Sequence, residues 1–192
     1  MKTIKNNNTK EIIIKNSKFI NYLIKIDSPD IKELLDDIKT THPKATHHCY
    51  AYIYNDIKHS SDDGEPTGTA GSPMLNVLEK NNLNNVLAVT VRYFGGIKLG
   101  AGGLIRAYTE SITENLKEIE LIELEKGFKV EISFNYSDEK QINYILNNSK
   151  VIDKSYDNDI KYIVLINEEI KDKLRNYNTK VIEEVYIEKD SN

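Results

Sequence analysis

Apolar and polar positions alternate in short runs from the start of the chain. Glu11–Ile14 and Lys18–Ile26, rich in Ile, predict two strands. Asp27-Ser28-Pro29-Asp30 then predicts a helix start, with Ser28 as the cap, Pro29 in the first helical position and Asp30 at the positive end of the dipole. Ile31, Leu34, Leu35 and Ile38 follow at helical spacing, and His42-Pro43 ends the run. Ala45–Tyr54 predicts a strand with His48, Tyr50, Tyr52 and Tyr54 on one face and His47, Cys49, Ala51 and Ile53 on the other. Pro73–Lys80 predicts a short helix. Asn85–Phe94 is apolar on both faces until Arg92, the mark of a central strand. Gly102–Leu116 predicts a helix with Leu104, Ile105, Tyr108, Ile112 and Leu116 as its buried stripe.

The pattern then changes character. Lys117–Lys126 is dense in charge and predicts a linker between a first domain, 1–120, and a second, 127–192. Phe128, Val130, Ile132, Phe134 and Tyr136 alternate strictly with polar residues, predicting a strand with one solvated face. A helix over 137–148, strands over 150–156 and 160–166 around Asp157-Asn158-Asp159, a helix opened by Asn167, and a last strand over 180–188 complete the series. That order is β-α-β-β-α-β, the ferredoxin-like pattern, so the expected class is α+β with a ferredoxin-like second domain. The two halves show no internal repeat.

Composition narrows the function classes. Twelve Tyr and no Trp accompany an apolar share of 39%, enough to fold. The net charge is −4, divided as −1 over residues 1–126 and −3 over 127–192. No basic half exists to displace counterions, so a nucleic-acid role must rest on a local patch, and no DNA specificity is evident. One cysteine excludes an internal disulfide. With no apolar leader core and no membrane-length run, the expectation is a soluble cytoplasmic protein without a membrane partner.

Chemistry concentrates in one stretch. Residues 60–111 hold eight of the nine glycines and two of the three arginines. Its first loop, SDDGEPTGTAGSPML, runs through Thr67, Gly68, Thr69, Gly71 and Ser72 into a helix, with Ser72 as expected cap. Free N–H groups at such a terminus make an anion site, against the plainer reading of a capped structural turn. Asp62, Asp63 and Glu65 are the candidate catalytic carboxylates: they can hold Mg²⁺, act as a general base, or brace the loop against Arg92 and Arg106. Arg92, closing an apolar strand, needs an anionic or carbonyl partner, whether from a ligand or from the protein. Arg106 has an i+4 partner in Glu110. The second loop, FGGIKLGAGGL, contributes Gly95, Gly96, Lys98, Gly100, Gly102 and Gly103. It is no Walker A, because Ala101 stands where Lys belongs, and Ile105 breaks the dinucleotide fingerprint. His42, His47, His48, His59 and Cys49 have no metal-ligand spacing, so no metal site is assigned and Mg²⁺ remains the one open cofactor.

Three blocks in order, ATHHCYAYIY, SSDDGEPTGTAGSPMLNVLE and VLAVTVRYFGGIKLGAGGLIRAYTES, resemble the IMPACT/YigZ family. The resemblance implies a first domain like ribosomal protein S5 domain 2 and a ferredoxin-like second domain similar to ribosome-contacting domains of elongation factor G. It implies a link to translation, which eukaryotic relatives regulate by competing for an activator of the amino-acid-starvation kinase, using an additional N-terminal module. It also points to Asp62, Asp63, Glu65, Gly68, Thr69, Gly71, Arg92, Tyr93, Gly95, Gly96, Lys98, Gly100, Gly102, Gly103 and Arg106 as the shared positions. Two positions depart from it: Ser72 stands where members often carry Arg or Lys, and Ala101 where Thr is common.

The leading expectation is therefore a translation-linked regulator binding RNA, ribosome or a translation factor. The alternative is an enzyme on a small phosphorylated or carboxylated ligand at the two glycine-rich loops. A third reading makes Tyr50 and Tyr52 the face of a protein adaptor.

Overall fold

The computed structural model describes residues 1–189, and the chain divides into two units, residues 1–123 and 124 onward. In the first unit, Lys2–Ile4 (β1) precedes Asn8–Ile14 (β2) and Ser17–Lys25 (β3). The two residues joining β2 to β3, Lys15 and Asn16, both have positive φ, the turn geometry that matches the twist of a tight hairpin. Lys32–Thr41 (α1), His47–Tyr54 (β4), Ile57–Ser61 (β5), Gly71–Lys80 (α2), Val86–Tyr93 (β6) and Gly100–Leu116 (α3) follow. The antiparallel sheet runs β2-β3-β6-β4-β5. β6 lies at its centre, buried from Val86 through Arg92 as its unbroken apolar run requires.

Each sheet face has its own core. Phe19, Leu23, Cys49, Ala51 and Ala88 pack with Met74 and Leu78 of α2 and with Leu104, Tyr108 and Ile112 of α3. On the opposite face Tyr52, Leu87, Val89 and Val91 meet Ile31 and Ile38, with Tyr50 and Tyr54 alongside. The β4 alternation thus holds. Its tyrosines pack in the second core, however, and the adaptor reading loses its exposed face. Fully buried side chains of this size contribute about 1.5–3 kcal/mol each.

Local signals were less faithful. α1 starts two residues after Asp30, with Ile31 at the N-cap. Ser28 Oγ accepts from the Asp30 N–H and Asp30 Oδ1 from the Lys32 N–H, a two-step turn in place of a Ser28 cap. Ile105 is 41% exposed and outside the α3 stripe. β1 and β5 escaped the pattern; β5 is short, polar and at the sheet edge, where alternation carries no burial signal.

Residues 121–126, expected in a linker, are strand. Leu121–Phe134 (β7) is continuous, and its first three residues pair with β1 in the first unit. In the second unit β7 is followed by a 3₁₀ turn at Tyr136–Asp138, then Glu139–Ile145 (α4), Lys150–Tyr156 (β8), Ile160–Ile166 (β9), Glu168–Lys173 (α5) and Asn178–Glu188 (β10). The sheet order is β10-β7-β9-β8, all antiparallel. Val130, Ile132, Tyr162, Val164 and Ile142 centre its core. Asn167 caps α5, its Oδ1 accepting from the Ile170 N–H at 3.0 Å.

Candidate binding cleft

The first glycine-rich loop folds around one carboxylate. Asp62, at the end of β5, accepts N–H bonds from Gly68 (2.8 Å, Oδ2), Ala70 (3.0 Å, Oδ1) and Gly71 (2.8 Å, Oδ1). The residue at the N-cap of α2 is Ala70, and Ser72 is exposed. Asp62 therefore does from a distance what Ser72 was expected to do locally, and the anion predicted for this helix end is the protein's own. Gly71 is small because its backbone passes Ser61; an added Cβ would sit 2.8 Å from Ser61 main-chain atoms. Thr69 Oγ1 donates to the Pro66 carbonyl at 2.6 Å, and Thr67 is exposed.

Burial alone would raise the Asp62 carboxyl, but the bonds from Gly68, Gly71 and Ala70 outweigh it and hold the group below the usual carboxylate range. A depressed carboxylate stabilises the fold at pH above its unfolded value of about 3.8. That contribution fades as pH falls through the lower folded value. Asp62→Ala is expected to cost about 2–3 kcal/mol at pH 7, from the loss of charge-assisted bonds. Urea unfolding repeated at low pH should show the gap between variant and parent closing; a gap independent of pH would refute the role.

The other two carboxylates face different partners. Asp63 Oδ2 accepts from the His48 N–H at 2.6 Å, and the Asp63 carbonyl accepts from His47 Nδ1 at 2.8 Å. Since a carbonyl only accepts, Nδ1 carries the hydrogen and Nε2 is the atom left to turn elsewhere. Glu65 is almost wholly buried, its side chain 3% exposed. Its Oε1 accepts from Arg92 Nη1 at 2.6 Å and from the Tyr108 hydroxyl at 2.8 Å. Among the described residues its Oε2 has no hydrogen bond, and His47 Nε2 lies 3.8 Å away. Arg92, 6% exposed, also reaches Ser17 Oγ at 3.5 Å through Nη2, while its Nε has no partner. Burial and the neighbouring Cys49 and Glu65 push the Tyr108 phenol far up, in keeping with its donation to Glu65, and burial lifts the Cys49 thiol to about 12, against the thiolate a nucleophile needs.

Of these groups His47, Glu65 and Arg92 line a cleft of about 380 Å³, with Thr46, Pro66, Phe94, Lys98, Leu99, Gly100, Ala101 and Leu104. The second glycine loop forms its rim. Gly95 lies against the β2–β3 turn, and Gly96 and Lys98 are exposed. α3 begins at Gly100, two residues earlier than expected. No side chain caps it, and its first turn has no acidic residue. Gly102 neighbours Arg106 Nη1, and Gly103 packs on Leu99. Arg106 is exposed and makes no pair with Glu110, and Lys98 also has no ion-pair partner among the described residues.

The predicted residues thus separate into two groups. Glu65, Arg92, Lys98 and Gly100 share the cleft, whereas Asp62, Asp63, Thr67, Gly68, Thr69, Gly71, Ser72, Gly95, Gly96, Gly102, Gly103 and Arg106 do not line it. Among the described residues no three His, Cys, Asp or Glu side chains gather as a metal site, so the carboxylates expected to share Mg²⁺ do not converge. Two members went unforeseen. His47 was visible only as one face of β4, and Tyr108 as one position of the α3 stripe; neither spacing says that the two meet at Glu65. No helix among the described residues is long and apolar enough to cross a membrane.

A family model, the Impact N-terminal domain, matches residues 15–116, the part of the chain that contains this cleft. The chain belongs to the IMPACT family. It is 48% identical to the IMPACT family member YvyE of Bacillus subtilis (strain 168) over 125 residues, 63% of this chain and 58% of that protein. It is 41% identical to the IMPACT family member YigZ of Escherichia coli (strain K12), over 55% of each. The matches thus span little more than half the length of these relatives. A solved structure described only as a hypothetical protein superposes with a TM-score of 0.72 at 29% identity, covering 95% of this chain and 97% of that one.

Proposed function

We propose that this IMPACT-family protein is a translation-linked regulator that binds RNA, the ribosome or a translation factor, and that the cleft rim of the first unit is part of its contact surface. The observation that carries a binding role over a catalytic one is that the three candidate carboxylates are bound into different parts of the fold. Asp62 holds backbone N–H groups, Asp63 holds the His48 N–H, and Glu65 holds Arg92 and Tyr108. Asp62 gives both oxygens to such bonds, and among the described residues the three carboxylates do not gather around one point where Mg²⁺ could be shared. The rim, by contrast, offers Lys98 and the uncapped end of α3, with the exposed Arg106 further along that helix. The family resemblance supplies the link to translation. The β10-β7-β9-β8 order supports a ferredoxin-like second unit, and the same resemblance supports an S5 domain 2-like first unit.

Co-sedimentation with ribosomes across a salt series tests this reading. Affinity should fall as salt rises. Lys98→Ala with Arg106→Ala should weaken binding and flatten the salt slope by about one for each phosphate that is no longer neutralised. Binding no better than that of an unrelated acidic protein at low salt would overturn it.

A further inference from the structure

We propose that the cleft of the first unit seats a nucleoside monophosphate. The proposal rests on reading this cleft as a binding site and names the chemistry that fits it. Three walls ask for three different chemical features. At the floor, Glu65 is fixed through Oε1 by Arg92 and Tyr108, while Oε2 accepts no hydrogen bond from the described residues and keeps some access to the cleft. A carboxylate oxygen facing a cleft with no protein donor repels an anion and favours an O–H or N–H group. His47 Nε2, turned by the Asp63 carbonyl, stands 3.8 Å from it, so two adjacent polar atoms wait for a hydroxyl-bearing group such as a ribose.

The side wall is apolar. Leu99, Leu104 and Pro66 line it, and Phe94 leaves 47% of its surface exposed beside them. A flat ring covers such a wall, and aromatic faces stack with nucleobases without regard to sequence. The rim has the opposite charge preference to the floor. Gly100 and Ala101 bring the uncapped first turn of α3 to the cleft, and Lys98 stands beside them without an ion pair. Free N–H groups, the helix dipole and an ammonium together favour a phosphate there. A hydroxylated sugar between a base and a phosphate meets all three walls at once. The volume of about 380 Å³ lies in the range of small-molecule sites. Neither a phosphodiester backbone alone nor a simple carboxylate supplies the donor that Glu65 Oε2 lacks.

Isothermal titration of the full chain with adenosine 5′-monophosphate, adenosine and ribose 5-phosphate tests this. Adenosine 5′-monophosphate should bind about tenfold or more tightly than either fragment, the order expected of one charge-assisted contact or one stacked ring. Lys98→Ala should lower its affinity about tenfold and change that of adenosine less than about twofold. Ala101→Glu puts a carboxylate on the rim in the first turn of α3, where an acid favours the helix. It should abolish phosphate recognition in a protein that melts no lower than the parent. Equal affinity for the nucleotide and adenosine, no effect of either substitution, or no binding up to about millimolar concentration overturns the proposal. Ribosome co-sedimentation separates the two readings. If it persists without nucleotide binding, the ligand class is wrong and the regulator reading stands. If it fails while the nucleotide binds, the regulator reading is wrong and the ligand class stands.

Discussion

Glu65→Ala is expected to destabilise the first unit by about 3–5 kcal/mol, because it leaves Arg92 as an uncompensated charge in the interior. Arg92 has little else to turn to. Its Nη2 reaches Ser17 at 3.5 Å, its Nε has no partner, and the rings of Phe19 and Phe94 lie 5.5 and 5.6 Å from the guanidinium carbon. Tyr108 would lose its acceptor as well. Glu65→Gln keeps an acceptor oxygen but loses the charge, so its cost should fall below that of Glu65→Ala. A double variant, Glu65→Leu with Arg92→Met, should recover much of the loss, since apolar replacements of buried ion pairs are often neutral. Urea unfolding followed by circular dichroism measures all of them. A cost below about 1 kcal/mol for Glu65→Ala would mean that the pair behaves as a solvated surface bridge.

Gly95→Ala should be the most damaging single methyl in the chain. An ideal Cβ at Gly95 would sit 2.0 Å from the Asn16 carbonyl carbon and 2.4 Å from the Ser17 nitrogen, all main chain. The Gly95 N–H also donates to Ser17 Oγ at 3.1 Å, so relieving the overlap breaks that bond. The displaced backbone belongs to the β2–β3 turn, whose register is fixed by two positive-φ residues. A cost above about 4 kcal/mol is expected, beyond the usual ~1–3 kcal/mol of overpacking, because the atoms overlapped are main chain and cannot rotate away. The neighbouring Gly96→Ala is the control. A Cβ there meets nothing within 4 Å, and only its φ of +85° resists, at about 1–2 kcal/mol. Thermal melts of the pair should differ clearly; equal melting points would show that the turn moves aside freely.

The regular elements were legible because burial writes them into the residue pattern. β6 reads as central from its unbroken apolar run, and the α3 positions Leu104, Tyr108 and Ile112 read as one face. Ile105 broke that reading because hydrophobicity alone does not separate a core position from an exposed one on the same helix. Residues 121–126 read as linker because charged side chains on a strand's solvated face look like charged side chains in a loop. The site was half legible. Glycine density marked the stretch and Arg92 marked a buried partner, but which carboxylate meets which donor depends on the path of the loop. Asp62 lies six to nine residues from the N–H groups it holds, a spacing no capping pattern encodes. Arg106 illustrates the converse: an i+4 spacing permits an ion pair, and solvent competes for it.

The embrace of Asp62 by the start of α2 has a consequence for how the molecule looks to a charged visitor. Two helices in the glycine-rich stretch begin with exposed-looking, small-residue ends, and each alone would project a positive potential. One is neutralised at short range by a resident anion, and the other, at Gly100, is not. The surface field near these loops therefore has one attractive focus instead of two. An approaching anion is steered toward the mouth beside Lys98 and is offered no decoy at Gly71.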